Sequence, residues 1–84
     1  MTTHEPTRGV VKFWKEERGW GAISSAALPD GRDAWAHFSV VDVGNSSGYR
    51  ALSAGQVVEF AFERVKQDSF DFRATWVRPV PDTV

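Results

Sequence analysis

Arg18-Gly19-Trp20-Gly21-Ala22-Ile23 and Asp33-Ala34-Trp35-Ala36-His37-Phe38 are two short segments that alternate with a period of two. In the first, Trp20 and Ala22 share one side while Gly21 and Ile23 share the other. In the second, Trp35 and His37 share a side, with Ala34 and Ala36 behind them. Side chains alternate across a strand, so each segment buries a small or aliphatic face and shows an aromatic one. Paired as neighbouring strands, they set Trp20, Trp35 and His37 on a single surface. Flat aromatic rings shown to water mark a binding face, and nucleobases, which have two π-faces, are a matching ligand.

Outward from this pair, residues 8–15 form a β-rich run in which Val10, Val11, Phe13 and Trp14 favour a strand. Glu16-Glu17-Arg18-Gly19 reads as a tight turn, with Gly19 free to take positive φ. Pro29-Asp30-Gly31 is a turn signal before the third strand. Residues 39–43 suit one short helical turn, and Gly44-Asn45-Ser46-Ser47-Gly48 a flexible loop. Ala54-Gly55 turns the chain into Gln56-Val57-Val58-Glu59-Phe60-Ala61-Phe62-Glu63, whose alternation is that of a half-buried strand. Lys66-Gln67-Asp68-Ser69 turns again, and residues 70–78 supply a fifth β-run that Pro79 and Pro81 end. Short strands with turn signals between them and no long helix predict a small all-β barrel, which removes exposed sheet edges. The expected domain spans residues 8–78, with flexible termini at 1–7 and 79–84.

The chain has 84 residues, enough for one domain of marginal stability. It has no cysteine, which suits a cytoplasmic protein, and no apolar run or signal pattern that points to a membrane. Net charge is −1, from ten basic and eleven acidic side chains, whereas nucleic-acid binders are usually basic. Four Trp and six Phe point the other way, towards affinity that leans on stacking more than on charge. With two His and no Cys there is no zinc constellation, and no nucleophile motif, phosphate loop or dinucleotide fingerprint is present. The chain reads as no enzyme, with no metal and no cofactor.

Trp20, Trp35, His37 and Phe38, with Phe13 or Trp14, can form a stacking platform. Aromatic rings also dominate small cores. His37 in step with Trp35 favours the platform, because a half-polar ring suits a wet face. Lys12, Lys15, Arg18, Arg32, Arg50 and Arg73 can flank a line of phosphates, interrupted by Glu16, Glu17 and Asp33.

Gly9-Val10-Val11-Lys12-Phe13-Trp14, the two segments quoted first, Gly48-Tyr49-Arg50-Ala51-Leu52 and Gly55-Gln56-Val57-Val58-Glu59-Phe60 resemble, in order, the motifs of the bacterial cold-shock proteins. The resemblance implies a five-stranded antiparallel OB-fold barrel that binds single-stranded RNA and DNA with little sequence preference. It also implies an RNA chaperone and a stress regulator of transcription or translation. Carried over by position, the stacking residues are Phe13, Trp14, Trp20, Trp35, His37, Phe38 and Tyr49. Lys12 is implied as a backbone or base contact and Asp33 as a polar neighbour, while Arg18 and Arg50 join the binding set as flanking cations. The chain departs from the family at Ala22, where a second exposed aromatic is usual, so one platform is expected to be missing, with the large Trp rings partly covering the gap. Phe13 and Trp14 invert the family's order, Ala36 and Phe62 exchange volume, and residues 70–77 diverge most. The rival reading is a protein-interaction module using the same aromatic face, with an oligosaccharide-binding barrel a distant third. A monomer is expected, and the loop at 44–48 makes a strand-exchanged dimer conceivable.

Overall fold

A computed structural model describes residues 6–42 and 52–80. Five strands form a closed barrel: β1 (Thr7–Lys15), β2 (Trp20–Ser24), β3 (Asp33–His37), β4 (Val57–Glu63) and β5 (Phe72–Pro79). Their order around the barrel is β1-β2-β3-β5-β4. Closure works because β1 serves two partners. Its first residues, Thr7 to Val10, pair with β4, and its later residues, Val10 to Lys15, pair with β2. Among the described residues no strand is left as an unpaired edge that could template aggregation.

The architecture is the expected all-β, OB-like barrel, with three differences. The β3–β5 pairing is parallel, through Ala34 with Phe72 and Trp35 with Arg73, so the barrel is of mixed orientation rather than antiparallel throughout. Thr7, expected in a flexible terminus, opposes Phe60 as the first residue of β1. Pro79, expected to end pairing, is the last residue of β5 opposite Val58, and the next residue still donates its backbone N–H to the Val57 carbonyl at 3.0 Å. A proline at the last rung loses little, because the ladder is ending there.

The turn chemistry follows from the residues. Gly19 (φ 78°) and Gly55 (φ 89°) take the left-handed conformation that a side chain resists. Pro29–Gly31 makes a 3-10 turn, and a second, Phe38–Val40, stands where a short helical turn was expected from residue 39. The loop at 44–48 and the strand exchange built on it lie outside the described residues, as do Tyr49 and Arg50.

The interior is filled by the inward rows of the strands: Val11, Ile23, Ala34, Ala36, Val58, Phe60, Phe72, Ala74 and Val77. Ala36 is buried and Phe62 packs against the core, its ring edge-on to Phe72 at 5.6 Å.

Two irregularities re-aim side chains. On β1, Val11 opposes Ile23 and Phe13 opposes Ala22, so Lys12 is the extra residue of a bulge. On β5, Phe62 opposes Ala74 and Ala61 opposes Trp76, leaving Thr75 as the extra residue. A bulge breaks the period of two, so the residue after it falls on the opposite face from the one alternation predicts. Phe13 therefore points outward and Trp14 inward, against the core.

Gly21 is the position that receives Trp14. A Cβ there would overlap the Phe13 carbonyl oxygen and the Trp14 ring. The carbonyl belongs to a paired strand and cannot yield as a side-chain tip does. Gly21→Ala is expected to destabilise the barrel by about 1–3 kcal/mol, as overpacking does, read as a lower urea midpoint with little change in slope.

Candidate nucleic-acid interface

The β2–β3 register builds the aromatic face. Trp20 opposes His37 and Ala22 opposes Trp35. On the other side of β2, Phe13 opposes Ala22 across the bulged β1. Residues opposite one another in a pair of strands share a face, so Phe13, Trp20, Trp35 and His37 come to one surface.

Trp20 is the hub. Its ring lies edge-on to Phe13 at 5.7 Å and stacks with Trp35 at 6.1 Å and 28°. Trp35 stacks in turn with His37 at 5.7 Å and 23°, and His37 meets Phe38 at 4.5 Å. These separations suit offset and edge-on aromatic contacts. The rings form one continuous tiled surface. Phe38, at its end, is 46% exposed. Its backbone N–H donates to the Gly19 carbonyl at 2.8 Å, and its ring lies where a Gly19 side chain would stand.

Ala22 lies in the aromatic row, yet it is 0% exposed. Phe13 and Trp35 oppose it on either side and Trp20 precedes it by two on the same face. The expected gap in the platform is therefore closed, because a methyl group at Ala22 leaves room for the flanking rings to approach.

His37 makes its polar contacts through Nδ1. Its Nδ1 accepts the Ser39 backbone N–H at 3.2 Å and lies 2.9 Å from the Ser39 hydroxyl. With Nδ1 accepting that N–H, the ring's Nε2 is the nitrogen left to face outward contacts as a donor. Trp35 Nε1 is buried with no hydrogen-bond partner among the described residues.

Charges surround the rings. The Lys15 ammonium lies 5.6 Å from the Phe13 ring and 5.8 Å from Trp20, as a cation–π contact. Lys12 is paired with Asp33 at 3.0 Å, so the expected contact residue and its expected polar neighbour hold each other. Arg73 is paired with Glu63, and Arg78 with Glu59. Arg18 is exposed in the turn after β1. The net charge is small because eleven acidic side chains offset the ten basic ones, and these pairs are where that offset becomes local.

Of the expected stacking residues, the structure brings Phe13, Trp20, Trp35, His37 and Phe38 together and sends Trp14 to the core side. Tyr49 and Arg50 lie outside the described residues. Sequence reasoning missed Phe70, which stands edge-on to Trp20 at 5.9 Å. It precedes β5, in a turn where Asp68 takes φ 55° and Gln67 and Phe70 exchange backbone hydrogen bonds of 2.9 and 2.8 Å. No alternation operates in such a turn, so no periodic signal could have found it. Phe72 is core, and Trp76 donates from Nε1 to Asp42 at 3.1 Å beneath the Arg78 guanidinium.

No helix among the described residues is long and apolar enough to cross a membrane. No family model matches the chain. It is similar to the Cold shock-like protein CspD of Haemophilus influenzae, 36% identical over 75 residues, which are 89% of this chain and 93% of that protein. It is also similar to the Major cold shock protein of Streptococcus pyogenes serotype M6, 39% identical over 56 residues (67% of this chain, 75% of that one). The Cold shock-like protein of Thermotoga maritima is 33% identical over 60 residues, 71% of this chain and 82% of the relative.

Because the Ala22 site is closed from both sides, restoring a large ring there should not restore a platform. Ala22→Phe is expected to cost about 1–3 kcal/mol of stability by overpacking, measured by chemical denaturation.

Proposed function

The chain belongs to the cold-shock protein family, and we propose that it binds unpaired RNA and DNA strands by stacking bases on its aromatic face. The observation that carries this reading is the unbroken ring surface of Phe13, Trp20, Trp35, His37, Phe38 and Phe70 on the outside of the barrel. A core would hold such rings inside. Each base stacked on a ring contributes about 1–3 kcal/mol, and every base has a π-face, so affinity comes with weak sequence preference. The Nε2–H of His37 and the ammonium of Lys15 add a donor and a charge beside the rings.

With five of the nine cations among the described residues already paired, few phosphates are neutralised. The salt slope should correspond to roughly two to four contacts at about −0.7 each. A protein of this kind acts without catalysis. By capturing transiently opened segments it shifts RNA hairpins towards the open state, as a chaperone and as a stress regulator of transcription or translation in the cytoplasm.

Tryptophan fluorescence tests this reading. Oligothymidine is expected to quench Trp20 and Trp35 and leave residual emission from Trp14 and Trp76, whose rings stand off the face, while the matching duplex has little effect. Trp35→Ala should weaken single-strand binding by about 1–3 kcal/mol and leave unfolding cooperative. Absence of quenching by any single strand would redirect the aromatic face to a protein partner.

A further inference from the structure

Beyond the rings, the β2–β3 and β4–β5 connections meet around a cleft of about 350 Å³ lined by Pro29, Arg32, Arg64, Lys66 and Asp71. Three cations face one carboxylate. Asp71 Oδ2 accepts from the Arg32 guanidinium, and its Oδ1 lies 3.6 Å from the Lys66 ammonium. Arg64 has no carboxylate partner among the described residues, and its guanidinium lies 5.4 Å over the ring of buried Phe72. A planar cation seated on an aromatic ring is held ready for an anion. The cleft thus carries a local excess of positive charge in a chain whose net charge is −1. The larger hollow at Lys15, Glu16, Glu17 and Arg18 has no such excess, because its charges cancel.

The cleft also adjoins the aromatic face along the chain. Asp71 follows Phe70, whose ring meets Trp20. Arg32 precedes Asp33, which begins the β3 row that carries Trp35 and His37. A strand laid across Trp20 and Trp35 and continuing past Phe70 would bring its backbone to the cations.

We propose that this cleft binds a backbone phosphate of the nucleic-acid strand, and that the Asp71 carboxylate occupies the phosphate's place until the strand displaces it. This rests on the stacking function proposed above. Two carboxylate oxygens bridging Arg32 and Lys66 present the same charge and a similar pair of acceptors to those of a phosphodiester. Partly exposed ion pairs contribute little to stability, so exchanging one anion for the other costs the fold little. Asp71 then lowers affinity for any strand too short to reach the cleft by nothing, and for longer strands by the competition it sets up.

The test is a fluorescence titration of the intact chain with oligothymidines of about four and about nine nucleotides, the shorter spanning the rings alone. Asp71→Asn is expected to bind the longer strand about threefold more tightly and the shorter one unchanged. Lys66→Ala, at a side chain 77% exposed and dispensable to the fold, should weaken the longer strand by about threefold. Glu59→Gln removes the same charge elsewhere and should alter neither. Quenching that persists while both cleft variants bind the longer strand like the parent would overturn the phosphate site alone. Absence of quenching by either strand would overturn the stacking function and, with it, this site. Sodium pyrophosphate binding the cleft more tightly than the longer strand would reassign it to a small anion and overturn the proposal.

Discussion

At the middle of β2, Gly21 and Ala22 hold almost no side-chain volume, and large rings close on them from both sides. Trp14 enters from the core side over Gly21, where not even a Cβ fits. Phe13 and Trp35 oppose Ala22 on the outer side, with Trp20 beside it. Interiors packed to crystal-like density transmit such constraints, because a ring can only lie where its neighbour leaves room. The small pair therefore sets both the inner wall of the barrel and the flatness of its outer face. Either residue enlarged would push one layer off the sheet.

The bulge at Lys12 is the second half of the same arrangement. Two aromatic residues in succession on a regular strand must point to opposite faces, and which goes out is a matter of register. The extra residue turns Phe13 out beside Trp20 and turns Trp14 in above Gly21. The inversion of Phe13 and Trp14 relative to the family's usual order is accommodated in this way, with the larger indole filling space that a glycine vacates.

Electrostatics play a restrained part. Lys12, Arg32, Lys66, Arg73 and Arg78 are each engaged by a carboxylate, and these pairs are partly exposed and individually weak. Such pairs stabilise the fold little but keep cations in place next to the rings and at the β4–β5 connection. A near-neutral chain can in this way hold cations at fixed places beside an aromatic surface.

Much of this was legible in the residues. Alternation placed β2, β3 and β4, β-forming composition placed β1 and β5, the glycine turns followed from backbone freedom, and the period of two in 20–23 and 33–38 put Trp20, Trp35 and His37 on one face, because those signals are local and each residue carries its own. The choice of Phe13 over Trp14, the part Phe13 takes in closing the gap at Ala22, the parallel β3–β5 pair, and the arrival of Phe70 beside Trp20 were not legible. Each depends on a neighbour distant in sequence: a bulge counted against another strand, a methyl covered by rings from two others, a pairing across the closed barrel, a turn without alternation. Local pattern determined which residues form strands and which side of each is aromatic; the closing of the barrel decided which rings meet, because only three-dimensional packing sets register and fills space.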